Sequence, residues 1–266
     1  MIKLVVCDMD GTIIGRDEVL PAGVAEWIAN LEQHGILFTV ATGRAEGYMR
    51  EKVAQMGLRH PYIATNGATI MDKGQAVLRR QFAIRPLREL ATVCYAAGMS
   101  ILFTFQGEER VEHITPWIIH EGEKRGRPYE ARPLAEHEWE NLRADKLLIM
   151  DPMREGKILA IEEKLRAIPG DFTYTRYRLK ALELNEKAAN KAAALKMLTQ
   201  HLGIPMEQVL VIGDDDNDIQ LFQTAGHSAA VANVSDHARP YADYVCWKKE
   251  FQGVMEAVEK FCGGAL

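Results

Sequence analysis

Asp8 and Asp10 stand one residue apart in Val5-Val6-Cys7-Asp8-Met9-Asp10-Gly11-Thr12, at the end of an apolar run. Two carboxylates at the end of a buried strand repel each other and lose hydration, so something must offset that cost. Three further stretches offer oxygen ligands and tight turns: Ala41-Thr42-Gly43-Arg44, Thr65-Asn66-Gly67 and Gly213-Asp214-Asp215-Asp216-Asn217-Asp218. Carboxylates gathered at one place need a cation, a proton or separation. An all-oxygen donor set favours a hard ion, and two or three carboxylates with room for waters and a phosphate suit Mg²⁺ better than a closed Ca²⁺ cage. With such an ion present, a carboxylate can attack phosphorus, and the metal and a lysine stabilise the transferring group.

The elements that must position these residues alternate. Ile2–Cys7, Ile36–Ala41, Tyr62–Ala64, Val209–Ile212, Ala229–Ala232 and Tyr244–Cys246 read as short apolar strands. Between and after them, Pro21–His34, Ala45–Met56, Lys191–Leu202, Asp218–Ala225 and Gln252–Phe261 show helical spacing. Strands alternating with helices imply parallel pairing in a doubly wound, Rossmann-like sheet, and ligands bind beyond the carboxyl ends of such strands. Each polar stretch above follows such an apolar strand. The middle differs: strands at Ile101–Phe105, Lys146–Met150 and Phe172–Tyr177 lie among helices over Arg85–Ala97 and from Asp151-Pro152 onward. The expected architecture is therefore α/β, a discontinuous core of about 1–81 and 182–266 with an inserted α+β domain at 82–181.

The totals narrow the classes of function. The chain has 266 residues, 47% hydrophobic and 26% charged, a globular balance. A net charge of −5 argues against binding nucleic acid or acidic membranes through bulk charge. No apolar run is long enough to span a bilayer. Cys7, Cys94, Cys246 and Cys262 show no metal-ligand spacing, so reduced thiols and a cytoplasmic location are expected.

Each motif alone has a plainer reading. A lone Asp-x-Asp after a strand is often a turn or cap, Thr42-Gly43 is a common turn, and Lys191 is by default a surface lysine. Asp214–Asp218 would serve as an acidic or calcium loop, but Ile219 and Ala225 stand where an EF-hand needs glycine and glutamate. The functional case rests on all of them following strands in this order.

That ordered set resembles the haloacid dehalogenase-like (HAD) hydrolase superfamily, and more closely its Cof-type phosphatase branch (class IIB), which carries an α/β cap between the second and third motifs. Asp8-Met9-Asp10-Gly11-Thr12 fits the first motif, Ala41–Arg44 the second, the lysine of Ala189-Asn190-Lys191 the third, and Gly213–Asp218 the fourth. Thr65-Asn66-Gly67-Ala68 and the segment 225–245 also look like that branch. The resemblance implies that Asp8 is a nucleophile forming an aspartyl-phosphate and that Asp10 is the general acid and base. It further implies that Asp8, the Asp10 carbonyl and Asp214 hold Mg²⁺, that Thr42 and the Gly43 N–H grip phosphoryl oxygens, and that Lys191 balances charge. Asn217 would reach the phosphate or orient Lys191, with Thr12, Asp218 and Asn66 in support.

In this sequence Ala192 follows the lysine where relatives usually have glycine, Lys187 competes with Lys191, and Trp247-Lys248-Lys249-Glu250 replaces a more usual small polar run. The inserted domain offers His113, Trp117, His120, Arg125, Arg127, Arg176 and Arg178 as substrate contacts, each with packing or solvation as the stronger reading. The implied activity is Mg²⁺-dependent hydrolysis of small phosphomonoesters, sugar phosphates or phosphorylated cofactors, by a monomer or small homo-oligomer with no nucleic-acid or membrane partner. A phosphosugar mutase and a non-catalytic phosphometabolite-binding regulator are the alternatives.

Overall fold

The computed structural model describes residues 1–15 and 17–263, and the chain divides into two compact units. The first, Met1–Leu78 with Ala189–Leu266, is built on five parallel strands. Their order is Tyr244–Val245, His227–Ala230, Val209–Gly213, Leu4–Cys7, Leu37–Val40. Side chains alternate across a strand, and here both faces are apolar. Val5, Cys7, Phe38, Val40, Leu210 and Ile212 pack with the helices Val24–Gln33, Glu46–Met56 and Glu250–Cys262. Leu4, Val6, Val209 and Val211 pack on the other face with the helix Lys191–Leu202 and with Leu221 and Phe222. Helices on both faces make the sheet doubly wound.

Tyr62–Ala64, read from sequence as one more such strand, meets the parallel sheet through a parallel bridge from Ile63 to Ala41. It pairs antiparallel with Thr69–Asp72, which with Gln75–Arg79 completes a three-stranded sheet. These two added strands are short and carry no clear alternation, so periodicity missed them.

The second unit, Arg79–Ala188, holds an antiparallel five-stranded sheet. Its order is Phe172–Tyr177, Ala181–Glu186, Lys146–Met150, Ser100–Phe105, Glu108–Arg110. Helices Arg88–Ala96 and Lys157–Arg166 bury one face against Ile101, Phe103, Leu147, Ile149, Leu182 and Leu184. The sequence boundary at 181/182 falls within the strand Ala181–Glu186. That strand pairs on both edges, with Lys146–Met150 and Phe172–Tyr177, so it belongs to the second unit. Asp151-Pro152 does not start a helix either. The helix begins after Gly156, whose φ of 84° only glycine adopts readily, so 151–156 is a connecting turn.

Candidate active site

The strand Leu4–Cys7 is wholly buried and delivers Asp8 to its carboxyl end, where the Asp8 N–H still donates to Ile212 O at 2.8 Å. The chain then folds tightly: the N–H groups of Thr12, Ile13 and Ile14 all point at Met9 O. Gly11 makes the turn possible. Its φ is +88°, and a Cβ there would lie 2.2 Å from Asp214 Oδ2. Thr12 Oγ1 donates to Asp214 Oδ1 at 2.8 Å, binding the first motif to the fourth across 202 residues.

Lys191 occupies the middle of this cluster. Its Nζ lies 2.5 Å from Asp8 Oδ1 and 2.7 Å from Asp218 Oδ1, with the whole side chain buried. The other Asp218 oxygen accepts from the backbone N–H of Asp214 at 3.0 Å and of Asp215 at 3.3 Å. Lys191 opens its helix, and Asn190 caps it by accepting from the Ala193 N–H at 2.7 Å. Gly67, at φ +90°, packs so tightly against this cap that a Cβ would sit 2.2 Å from Asn190 O. Lys187, the competing lysine, pairs with Asp171 in the second unit.

The electrostatics follow from burial. Loss of hydration raises the Asp8 pKa well above the ordinary carboxylate range; Lys191 pulls it down, and Asp218, Asp214 and Asp10 push it up. Burial also drives Asp214 to about 7, against the Thr12 hydrogen bond. Burial works against the Lys191 ammonium, but Asp218 and Asp8 more than offset it, and its pKa is raised.

Asp8, Asp214 and Asp218 each offer an oxygen within 4.8 Å of the others. Three carboxylates face one ammonium, and the donors are all hard oxygens, so the site fits a divalent cation. Asp218 is already bonded to Lys191 and two backbone N–H groups, which leaves Asp8 and Asp214 as the available carboxylates.

Thr42 is buried after the strand Leu37–Val40, and its Oγ1 accepts from the Arg44 N–H at 3.1 Å, which leaves the hydroxyl proton to donate elsewhere. Asn66 is set beside Gly43, and its Oδ1 accepts from Asn217 Nδ2 at 3.3 Å. Asn217 thus bonds Asn66, while Lys191 takes its orientation from Asp218. Asp10 is turned to Arg44, which grips both its oxygens.

The sequence model of the haloacid dehalogenase-like hydrolases matches residues 5–258. The chain belongs to that family. It has the Cof-type arrangement, with an α+β unit inserted between the second and third motifs. Among curated relatives, a 5-amino-6-(5-phospho-D-ribitylamino)uracil phosphatase of Bacillus subtilis is 27% identical, covering 97% of this chain and 94% of the relative. A phosphoglycolate phosphatase of Methanothermobacter thermautotrophicus is 24% identical, covering 98% and 99%. The solved structure of a haloacid dehalogenase-like hydrolase from Bacteroides thetaiotaomicron superposes with a TM-score of 0.82 at 22% identity, covering 98% of this chain and 99% of that one.

Two residues of this HAD site escape a reading by sequence. Arg44 is the last residue of the second motif, yet nothing in its spacing says that it holds Asp10. Asn233 donates to Gly11 O at 2.7 Å and accepts from the Glu250 N–H at 3.1 Å, tying the first motif to the Trp247–Glu250 loop. No signal marks it within its stretch of small residues. Of the second unit's candidates, Arg125 is held by Glu109 and Glu121, and Arg176 by Glu162. His113 lies 4.2 Å from the Tyr95 ring, and Trp117 packs beside Leu102, Val111 and Ile118.

Proposed function

We propose that the protein is a Mg²⁺-dependent phosphatase that hydrolyses small phosphomonoesters, sugar phosphates or phosphorylated cofactors, through an aspartyl-phosphate on Asp8. The observation that carries this reading is the division of labour between the two aspartates. Asp8 is buried on Lys191 and beside Asp214, while the Asp10 side chain stands 53% exposed. A buried carboxylate beside a fixed ammonium suits attack on phosphorus, and an accessible one suits proton exchange with alcohol and water.

Asp8 attacks the phosphorus and the ester P–O bond breaks, with the proton for the departing alcohol coming from Asp10. Asp10 then takes a proton from the water that attacks the aspartyl-phosphate, restoring Asp8 and releasing phosphate. The Thr42 hydroxyl and the Gly43 N–H hold the phosphoryl oxygens, and Lys191 balances their charge. Asp8, the Asp10 carbonyl and Asp214 would hold Mg²⁺, which supplies Lewis-acid neutralisation of the phosphate charge. Both named relatives carry a small phosphate ester in their names, which supports the substrate class. Four unpaired cysteines support a cytoplasmic site of action.

The test is a phosphate-release screen over sugar phosphates, nucleotides, pyridoxal phosphate and flavin mononucleotide, with and without Mg²⁺. Release that needs Mg²⁺ and vanishes in Asp8→Asn is expected. Silence across the panel, or full activity in Asp8→Asn, overturns the reading, and an isomerised phosphosugar in place of phosphate redirects it to a mutase.

A further inference from the structure

Arg44 has no role in the mechanism above, yet among the described residues it is the only side chain bonded to Asp10. Arg44 Nε lies 2.8 Å from Asp10 Oδ2 and 3.0 Å from Oδ1, and Nη2 donates to Oδ1 as well. The pair is lopsided: the Asp10 side chain is 53% exposed and that of Arg44 only 10%. An exposed ion pair between two mobile side chains would hold little.

Here one partner is fixed from behind. The guanidinium lies 4.5 Å over the Tyr48 ring, and Nη2 is 3.8 Å from Glu18 Oε2. The Tyr48 hydroxyl donates to that same Glu18 oxygen at 2.7 Å, and Lys52 Nζ donates to the Glu18 carbonyl at 2.8 Å. The Arg44 backbone is pinned too, its N–H on Thr42 Oγ1 and its carbonyl accepting from the Thr65 N–H at 2.9 Å. The planar guanidinium is thus a rigid fork whose only loose attachment is the carboxylate it carries.

We propose that Arg44 is the positioning residue for Asp10, braced by Tyr48 and Glu18 so that the carboxyl is held where it meets the oxygen of the leaving alcohol. This rests on the phosphatase reading. Arg44 itself touches no reacting atom; it removes the rotamer freedom of a side chain that has no other side-chain partner among the described residues. A lysine at this place would offer one donor point where the fork offers two.

The test uses the full chain with p-nitrophenyl phosphate, whose leaving group needs no proton, and the alkyl phosphate that the unaltered enzyme cleaves fastest. In Arg44→Met, kcat/KM on the alkyl ester should fall about 100-fold and on the aryl ester less than about 5-fold, as expected when general-acid assistance is lost. In an Asp10→Asn background the same change should cost less than about 2-fold, because a residue acting through Asp10 has nothing left to act on. Arg44→Lys should recover part of the alkyl rate. Tyr48→Phe, which keeps the ring and loses the tie to Glu18, should show the same alkyl-selective pattern more weakly.

Equal losses on both esters, or a full loss persisting in Asp10→Asn, overturn the proposal. So does a matched rise in KM on both, which would place the buried Arg44 Nη1, without a hydrogen-bond partner among the described residues, on the phosphate instead. If the unaltered enzyme releases no phosphate from either ester, the phosphatase reading itself has failed and the proposal falls with it. If it does, a flat Arg44→Met profile removes the proposal alone.

Discussion

The Asp8–Lys191–Asp218 triple is a buried salt bridge, and such a bridge costs much when broken and adds little when whole. Lys191→Met would leave two buried carboxylates on one missing cation, and should lower stability by about 3–5 kcal/mol in urea melts without metal. Asp214 gives a pH signature. Its folded pKa, about 7, lies above its ordinary value of 3.8, so between those limits the folded state holds a proton that the unfolded chain has released. Stability of the metal-free protein should therefore fall as pH rises from about 4 to about 7 through this group. On the proposal that Asp214 holds Mg²⁺, the ion would compete with that proton, so it should raise the melting temperature more at pH 8 than at pH 6, and Asp214→Asn should abolish the difference. At this scale the sequence showed Asp8 and Asp10 plainly, because one carboxylate after another on a buried strand is anomalous. It did not show that Lys191 would choose Asp218, or that Arg44 would choose Asp10. Partner choice depends on which loops the sheet brings together.

Two helix ends hold the site in register. The Asn190 cap sets the first turn of Lys191–Leu202 and thereby the reach of the lysine. Asn190→Ala should cost about 1 kcal/mol, read by denaturant melts, and on the proposed mechanism should lower turnover as well because Lys191 is the next residue. Gly67→Ala should do worse, since its Cβ would meet the backbone carbonyl of Asn190, which no rotamer change relieves. The parallel strands were legible because strands buried on both faces read as continuous apolar runs. Thr69–Asp72 and Gln75–Arg79 were not legible: Thr69, Ile70 and Met71 are all buried and Gln75, Ala76 and Val77 all exposed, so burial does not alternate along either strand. The Asp151-Pro152 signal was sound chemistry for a helix start, but Gly156 reset the chain five residues later.

Each unit has its own apolar cluster: Phe82, Phe103, Ile149, Leu182 and their neighbours in the second, the two faces of the parallel sheet in the first. The second unit is also continuous in sequence, from Arg79 to Ala188. Expressed alone, residues 79–188 should give a cooperative thermal transition by circular dichroism, as expected of a segment with its own core. A broad, non-cooperative melt would show that it needs the rest of the chain. The sequence by itself determined the α/β class with its doubly wound core and supplied the candidate chemical groups, because strand burial and unusual charge leave marks on neighbouring residues. Only the tertiary structure decided which oxygen each cation grips, that Ala181–Glu186 completes the inserted sheet, and that Arg44 stands behind Asp10. The cation contacts join residues from 27 to 183 positions apart, and no local pattern encodes them.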